Sequence, residues 1–219
     1  MKETVHHEIS LRGGAIETHQ WILIPKPFVQ VEDLFTSENL HMTGLLYFAY
    51  IDHIFSGMTK SHYIPPEAIV KLRFSQSVLL WFSGIWTSVT DSESVLMLEL
   101  QKGKLVHEEH FGEGEFRFEY CLEERRRGDY LGFHIRLTDF YSSIRGDKYH
   151  NSRRNFLYHL TQGAVHRYVT VGFARRIGAV LRAPDIPLKK SFGIKDSMME
   201  FWEESGQLPA GQTLLSLSG

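Results

Sequence analysis

Apolar and polar positions in the first third of the chain predict one strand followed by one buried helix. Residues 15–24 alternate and then become continuously apolar until Pro25 and Pro27 end the pattern, which is typical of a strand. Residues 40–58 are apolar on nearly every side, and a run of this length favours a buried helix. We therefore expect a strand that leads into a helix of the core.

The middle of the chain has the alternating pattern of an antiparallel sheet. Apolar, aromatic and β-branched residues predict up to six successive strands, at residues 68–74, 77–89, 93–100, 105–111, 115–122 and 131–138. Residues 101–104 are typical of a hairpin turn, and residues 123–129 are expected to form a charged turn. The alternation is clearest over 115–122, where every second residue is apolar. This part of the chain is therefore expected to form an antiparallel meander.

The last third of the chain is expected to be largely helical. Residues 152–181 carry an apolar stripe at helical spacing, although residues 168–173 are equally compatible with a strand. Gly163, Gly172 and Gly178 each cost a helix about 1 kcal/mol relative to alanine, so they indicate close backbone packing or breaks. A capping-box spacing between Ser197 and Glu200 predicts a further short helix.

This order of elements predicts an α+β fold in which an antiparallel β-meander curves around a buried helix and a long C-terminal helical segment follows. The order resembles that of helix-grip and hot-dog folds, both of which tend to enclose an apolar pocket. We assign residues 1–190 to a single α+β domain and residues 191–219 to a C-terminal helix and a loosely ordered tail.

Composition and charge narrow the classes of protein to consider. The single Cys121 excludes an internal disulfide and a cysteine-based zinc finger. The start of the chain has no apolar stretch typical of a signal peptide, and the longest uncharged apolar run, residues 42–51, is too short to span a membrane. We therefore expect a cytoplasmic protein that has no contact with a membrane.

A basic segment stands out in a chain whose formal net charge is −2. Residues 143–190 contain ten lysines and arginines against only Asp147 and Asp185. Such a segment favours anionic partners, for example phosphate esters, coenzyme A or nucleic acid, but it is also compatible with a solvated surface.

Histidines and arginines supply most of the candidate functional residues. His41 and Asp52 share one face of the predicted core helix, and His159 and His166 share a face within the basic segment. Histidine can transfer protons near neutral pH, and arginine can form paired hydrogen bonds with phosphate or carboxylate. The candidate catalytic residues are His41, Asp52, His159 and His166, and the candidate substrate-binding residues are Tyr47, His134, Arg136, Arg153, Arg154 and Arg167. All of them are also compatible with core or surface positions that have no function.

Two triplets of the form His-x-Thr suggest a more specific chemistry. They are His41-Met42-Thr43 and His159-Leu160-Thr161. They resemble the paired triplets of the two-histidine phosphoesterases, which place two histidines and two hydroxyl groups around a scissile phosphate. That family carries its triplets on strands, whereas both triplets here lie on or near predicted helices. The resemblance implies a phosphodiester substrate.

The sequence contains no clear motif for a metal or a cofactor, and we predict neither. His107 and His110 fall on a predicted strand at a spacing that directs them to opposite faces, which makes them a poor metal pair. A glycine-rich phosphate loop and a nucleophile elbow are also missing from the sequence.

These observations leave three hypotheses. The first is a domain that binds a small organic molecule, of anionic or acyl type, in an apolar pocket lined by aromatic residues. It includes a metal-independent lyase, isomerase or hydrolase that uses histidine and tyrosine acid–base chemistry. The second is a protein that acts on phosphodiesters or nucleic acid through residues 143–190. The third is a non-catalytic homo-oligomer or interaction protein whose first candidate contact is the helix at residues 198–202.

Overall fold

The computed structural model describes residues 4–29, 34–126, 128–144, 162–183 and Phe192. Within these residues eight strands form one antiparallel sheet: β1 (His6–Arg12), β2 (Ala15–Pro25), β3 (Thr59–Ile64), β4 (Glu67–Leu72), β5 (Val78–Val89), β6 (Glu93–Lys102), β7 (Gly114–Arg125) and β8 (Gly128–Phe140). The strand order across the sheet is β1-β2-β8-β7-β6-β5-β4-β3. Two helices, α1 (Ser37–Ile54) and α2 (Ala164–Arg182), pack on one face of the sheet, which we call the inner face.

The inner face is built by alternation along the central strands. Phe116, Phe118 and Tyr120 of β7 are at most 3% exposed, and the apolar residues of β8 beside them are equally buried. Since successive side chains of a strand point to opposite faces, this pattern leaves the charged residues of β7 on the outer face. The predicted apolar face of the meander is confirmed.

Helix α1 is buried on nearly all sides, as its composition predicts. The Thr36 hydroxyl caps its first turn by accepting a hydrogen bond from the Asn39 backbone N–H at 3.2 Å. Gly44 allows the helix to approach the sheet closely, because a Cβ atom at this position would lie 2.8 Å from the Tyr63 ring. The core helix is therefore held by its cap, by its apolar surface and by one position without a side chain.

Helix α2 covers the other part of the inner face. Residues 168–173 belong to this helix, which settles the alternative of a strand. Phe173 is fully buried and stacks among the aromatic rings of both helices and the sheet, including those of Tyr50 and Phe133. Gly172 lies against the Tyr50 hydroxyl, so close packing explains this helical glycine.

The structure corrects three parts of the predicted strand pattern. Strands β1 and β3 are missing from the prediction because their residues are mostly polar on both faces. Residues 105–111 do not form a strand. The Leu105 N–H bonds to the Leu79 carbonyl of β5 and the His107 N–H bonds to the Tyr141 carbonyl, while Val106 forms an isolated bridge with Ser142. A 3₁₀ turn follows at Glu108–His110. The charged turn at 123–129 is shorter than predicted, since β7 continues to Arg125 and β8 begins at Gly128.

The architecture is the predicted α+β fold, an antiparallel curved sheet that grips helices, and it is helix-grip-like. Phe192 is buried against Tyr50 and Phe173. The predicted helix at 198–202 and the tail lie outside the described residues. None of the described helices combines the length and the apolar character needed to cross a bilayer.

Candidate functional site

A cavity of about 250 Å³ lies between the inner face of the sheet and the two helices. Helix α1 forms one wall with Tyr47 and Phe48, and helix α2 forms another with His166 and Val169. Most of the remaining lining side chains are aliphatic or aromatic: Ile51, Phe55, Met58, Val70, Leu72, Leu79, Leu80, Phe82, Leu100, Leu105, Phe116, Leu137, Phe140 and Val165. The fold therefore encloses an apolar pocket, as the order of elements predicts.

Four polar side chains also line this cavity, and they differ in what they bond to. Gln162 donates to the Leu105 carbonyl at 3.2 Å and accepts from the Ser142 hydroxyl. His166 Nε2 lies 2.9 Å from the Thr18 hydroxyl. By contrast, the buried Thr59 hydroxyl has no hydrogen-bond partner in the described part of the chain. An unpaired buried hydroxyl is costly, so a polar group that reached the Thr59 hydroxyl would be stabilised by it.

The cavity is electrically neutral. The side chains that line it, within the described residues, include no lysine, arginine, aspartate or glutamate. Burial raises the pKa of the Tyr47 hydroxyl, with a smaller contribution from Tyr50, so this group stays protonated. Burial and the nearby His7 lower the pKa of His166 to about 4, so its imidazole is uncharged at neutral pH. The described lining residues therefore offer hydrogen bonds but no fixed charge.

Of the predicted site residues that the structure describes, Tyr47 and His166 line this cavity and the others do not. His134 and Arg136 lie on the outer face of β8, on the far side of the sheet. Arg167 lines a separate groove on the other side of α2. Arg153, Arg154 and His159 lie outside the described residues.

His41 and Asp52 have structural partners on β3. The His41 Nδ1 atom lies 2.7 Å from the Tyr63 hydroxyl, and the Asp52 carboxylate accepts two hydrogen bonds from Ser61. Neither side chain lines the cavity. The helical spacing placed them on one face correctly, but that face packs against a strand that the sequence did not predict.

The first His-x-Thr triplet lies inside α1, and its threonine is part of the core. The Thr43 hydroxyl donates to the Asn39 carbonyl at 2.8 Å and is 2.9 Å from the Tyr120 hydroxyl. It is fully buried, so it is not available to a phosphate. The second triplet, residues 159–161, lies outside the described residues.

Sequence reasoning missed two groups of residues. In the cavity it missed Thr59 and Gln162, for which the sequence carries no signal beyond their polarity. On the outer face it missed four ionisable side chains, His19, Glu119, Cys121 and Glu123, which converge with the predicted candidate His134 from three strands. Their alternation along the strands was visible, but the register that brings them together was not.

No family model and no curated protein matches this sequence. Among solved structures, CalU16 from Micromonospora echinospora is 12% identical over 100% of this chain and 97% of its own, with a TM-score of 0.36. Protein Ms6760 from Mycobacterium smegmatis is 9% identical over 83% and 99%, with a TM-score of 0.35. An HSP90 activator from Plasmodium falciparum is 11% identical over 71% and 94%, with a TM-score of 0.33. At these scores the likeness says nothing about function.

Proposed function

We propose that the protein binds a small, uncharged and largely apolar organic molecule in the cavity between the sheet and its two helices. The observation that supports this most directly is an apolar cavity of about 250 Å³ whose lining includes Thr59, a residue with a buried hydroxyl that has no hydrogen-bond partner among the described residues. Concave apolar sites with a few polar groups are the usual form of small-molecule sites in proteins.

The charge of the lining decides between an anionic and a neutral ligand. A carboxylate or phosphate that enters this cavity would lose its hydration, and none of the described lining residues offers a cation in return. Arg167 follows His166 directly in the sequence, but its side chain lines the separate groove on the other side of α2. We therefore favour an uncharged ligand over the anionic or acyl-type ligand that the basic segment suggests.

The volume of the cavity limits the size of the ligand. Small-molecule pockets commonly measure about 300–1,000 Å³, and an engineered apolar cavity of about 150 Å³ accommodates benzene. The observed volume of about 250 Å³ suits a compound with one or two rings. The many aromatic side chains around it favour a flat ring system.

The polar side chains suggest one hydrogen-bonding group on the ligand. The Thr59 hydroxyl can both donate and accept, and the protonated Tyr47 hydroxyl at the α1 wall can donate. We expect these two groups to orient an alcohol, phenol or carbonyl of the ligand. His166 is a weak base in this setting, so we propose binding rather than acid–base catalysis as the primary activity.

Calorimetric titration with a matched pair of ligands tests this proposal. 2-Naphthol is neutral and carries one hydroxyl group, whereas 2-naphthoate has a similar ring system and a negative charge. We expect the naphthol to bind with a negative heat-capacity change, which marks apolar burial, and the naphthoate to bind at least about tenfold more weakly. Equal binding of the two compounds, or no binding of either, would contradict the proposed ligand class.

Two variants on helix α2 locate the binding. Val169→Phe fills the cavity, whereas Val171→Phe makes the same change on the side of the helix that lines the outer groove. In proteins shown to be folded by thermal unfolding, Val169→Phe should weaken naphthol binding about tenfold or more and Val171→Phe should leave it within about twofold. The opposite ranking would place the ligand outside the cavity.

The second candidate function is binding of a phosphate-containing polymer in the groove on the outer side of α2. Arg167, Arg175 and Arg176 line this groove together with Tyr168. One of the three is already engaged, since Arg176 donates to the Tyr50 hydroxyl at 2.7 Å. Oligonucleotide binding that weakens steeply with salt and is lost on Arg175→Gln would favour this function, and salt-independent or absent binding would exclude it.

A further inference from the structure

The outer face of the sheet brings together four side chains that can bind a metal ion. Ligand atoms of Glu119, Cys121 and His134 all lie within 4.8 Å of one another. Glu123 completes the group, because its Oε1 atom is 3.0 Å from His134 Nε2 and 3.9 Å from Cys121 Sγ. Strand pairing explains this convergence, since Glu119 lies opposite His134 and the adjacent outward-facing residue, Cys121, lies opposite Gly132.

Gly132 allows the donor atoms to converge over its backbone, because it has no side chain to displace them. A Cβ atom at this position would lie 2.6 Å from His134 Nε2, 2.7 Å from Glu123 Oε1 and 3.0 Å from Cys121 Sγ. Zinc binds nitrogen and oxygen ligands at about 2.0–2.2 Å and thiolate at about 2.3 Å. An ion among these donors would lie farther from the Gly132 backbone than a Cβ atom, and small side-chain rotations would bring the donors to bonding distance from it.

The surroundings of the thiol favour a cation. The carboxylates of Glu119, Glu123 and Glu93 surround the Cys121 thiol, and the opposing charge is the guanidinium of Arg136. The same carboxylates that oppose a thiolate stabilise a positive ion beside it. His134 is only 6% exposed, so an ion held there would be partly shielded from water.

Neighbouring side chains hold the four donors in place. His19 Nε2 lies 2.9 Å from His134 Nδ1, and the two rings stack with 5.1 Å between their centroids. Arg125 donates to the Glu123 carboxylate at 2.9 Å, and Arg136 lies 3.4 Å from that of Glu119. In metal sites of proteins, the second ring nitrogen of a histidine ligand is usually hydrogen-bonded, and the ligating carboxylates are also paired. The same arrangement surrounds His134, Glu119 and Glu123.

We infer that Cys121, His134 and the carboxylates of Glu123 and Glu119 form a binding site for one transition-metal ion of the zinc type on the outer face of the sheet. The mixed sulfur, nitrogen and oxygen donors suit Zn²⁺, whereas Mg²⁺ and Ca²⁺ prefer oxygen alone. On binding, the Cys121 thiol releases its proton to solvent. The neutral His134 ring shifts its proton from Nε2 to Nδ1, which frees Nε2 for the metal, and His19 shifts its own proton to Nδ1 so that its Nε2 atom accepts the hydrogen bond from His134 Nδ1.

Cobalt provides a direct test, because Co²⁺ occupies zinc sites and gives a thiolate-to-metal charge-transfer band in the ultraviolet. Cys121 is the single cysteine of the chain, so such a band reports this site alone. We expect untagged protein, stripped with a chelator, to develop the band with one Co²⁺ per chain and to lose it when Zn²⁺ is added. Folded wild-type protein that gives no band would overturn the inference.

Variants separate this site from metal binding elsewhere on a chain with twelve histidines. Gly132→Ala keeps every ligand but adds a methyl group that displaces three of the donor atoms, which are side-chain ends that can move aside without unfolding the sheet. We expect Co²⁺ affinity to fall at least about tenfold in this variant and to be unchanged in Glu124→Gln, which alters the adjacent exposed carboxylate. His134→Gln, which retains the thiol, provides a second test and should also abolish the band. A band that persists in folded Gly132→Ala or His134→Gln would refute the proposed geometry.

Discussion

The carboxylate of Asp52 accepts two hydrogen bonds from Ser61, one from its backbone N–H at 2.7 Å and one from its hydroxyl at 2.8 Å. Asp52 lies in the last turn of α1, and Ser61 lies in the middle of β3. The pair therefore fixes the end of the core helix to the edge strand of the sheet. It gives Asp52 a structural role that its position on a helix face does not reveal.

Replacement of Asp52 by alanine should destabilise the protein without abolishing ligand binding. Hydrogen bonds to a charged group contribute about 1.5–3 kcal/mol, so we expect Asp52→Ala to lower the free energy of unfolding by about 2–3 kcal/mol. Ser61→Ala, which keeps the backbone bond, should cost about 1 kcal/mol. Urea unfolding measures both values. Unchanged stability in Asp52→Ala, combined with loss of naphthol binding, would instead support a direct role for Asp52 in the site.

The hydroxyl groups of Thr43 and Tyr120 form a buried hydrogen bond, and we expect replacement of the two residues to cost different amounts of stability. The single hydroxyl hydrogen of Thr43 donates to the Asn39 carbonyl, so Tyr120 is the donor between the two side chains. Tyr120→Phe removes that donor and should cost about 1 kcal/mol, because Thr43 keeps its other bond. Thr43→Val leaves the Tyr120 hydroxyl buried without a partner and should cost about 2–3 kcal/mol. Denaturant unfolding of the two variants gives the order, and the reverse order would contradict the assigned donor.

The sequence predicts the fold well where the apolar pattern is strong. The alternation of Phe116, Phe118 and Tyr120 identifies β7, and the continuous apolar run identifies α1, because burial alone determines both patterns. Strand β1 escapes prediction because it is an edge strand, whose residues are half-buried at best. Residues 105–111 are the opposite case: they were predicted as a strand, but they form only one isolated bridge, at Val106, before the 3₁₀ turn at Glu108–His110.

The candidate site is less predictable, because it depends on which residues meet across the sheet. Tyr47 could be assigned to a pocket from its place on a buried aromatic helix. The convergence of Cys121 with His134 requires the register of β7 and β8, which periodicity along one strand does not contain. Gly132 carries no signal in the sequence beyond the absence of a side chain.

The unpaired Thr59 hydroxyl should lower the free energy of unfolding of the ligand-free protein. It is buried and has no hydrogen-bond partner in the described residues, and valine has nearly the same shape. We expect Thr59→Val to raise the free energy of unfolding by about 1–2 kcal/mol and to weaken naphthol binding. Binding of naphthalene, which has no hydroxyl group, should be unchanged or stronger. If Thr59→Val weakened the binding of naphthol and of naphthalene equally, the Thr59 hydroxyl would not be the group that holds the ligand's hydroxyl.

Stability should decline as the pH falls through the range in which buried histidines resist protonation. Burial is the largest cause that lowers the pKa of His166 and of His19 to about 4, and it also lowers the pKa of His7, His41, His62 and His134. In the unfolded chain these groups bind protons near pH 6.5. Between about pH 6.5 and about pH 4 the unfolded state therefore holds more protons, and the free energy of unfolding falls as the pH is lowered. The stability that comes from keeping these imidazoles neutral is complete above this range.

The contribution of His166 can be isolated with two variants. We expect the urea midpoint of the wild-type protein to fall between about pH 7 and about pH 5, a range that stays above the titration of ordinary carboxyl groups. His166→Gln should reduce that fall, because one imidazole no longer takes up a proton on unfolding. Thr18→Val removes the partner of His166 but keeps the buried imidazole, so its pH dependence should match the wild type. If His166→Gln instead retained the full wild-type pH dependence, His166 would be titrating normally in the folded protein, and its side chain would be accessible to water.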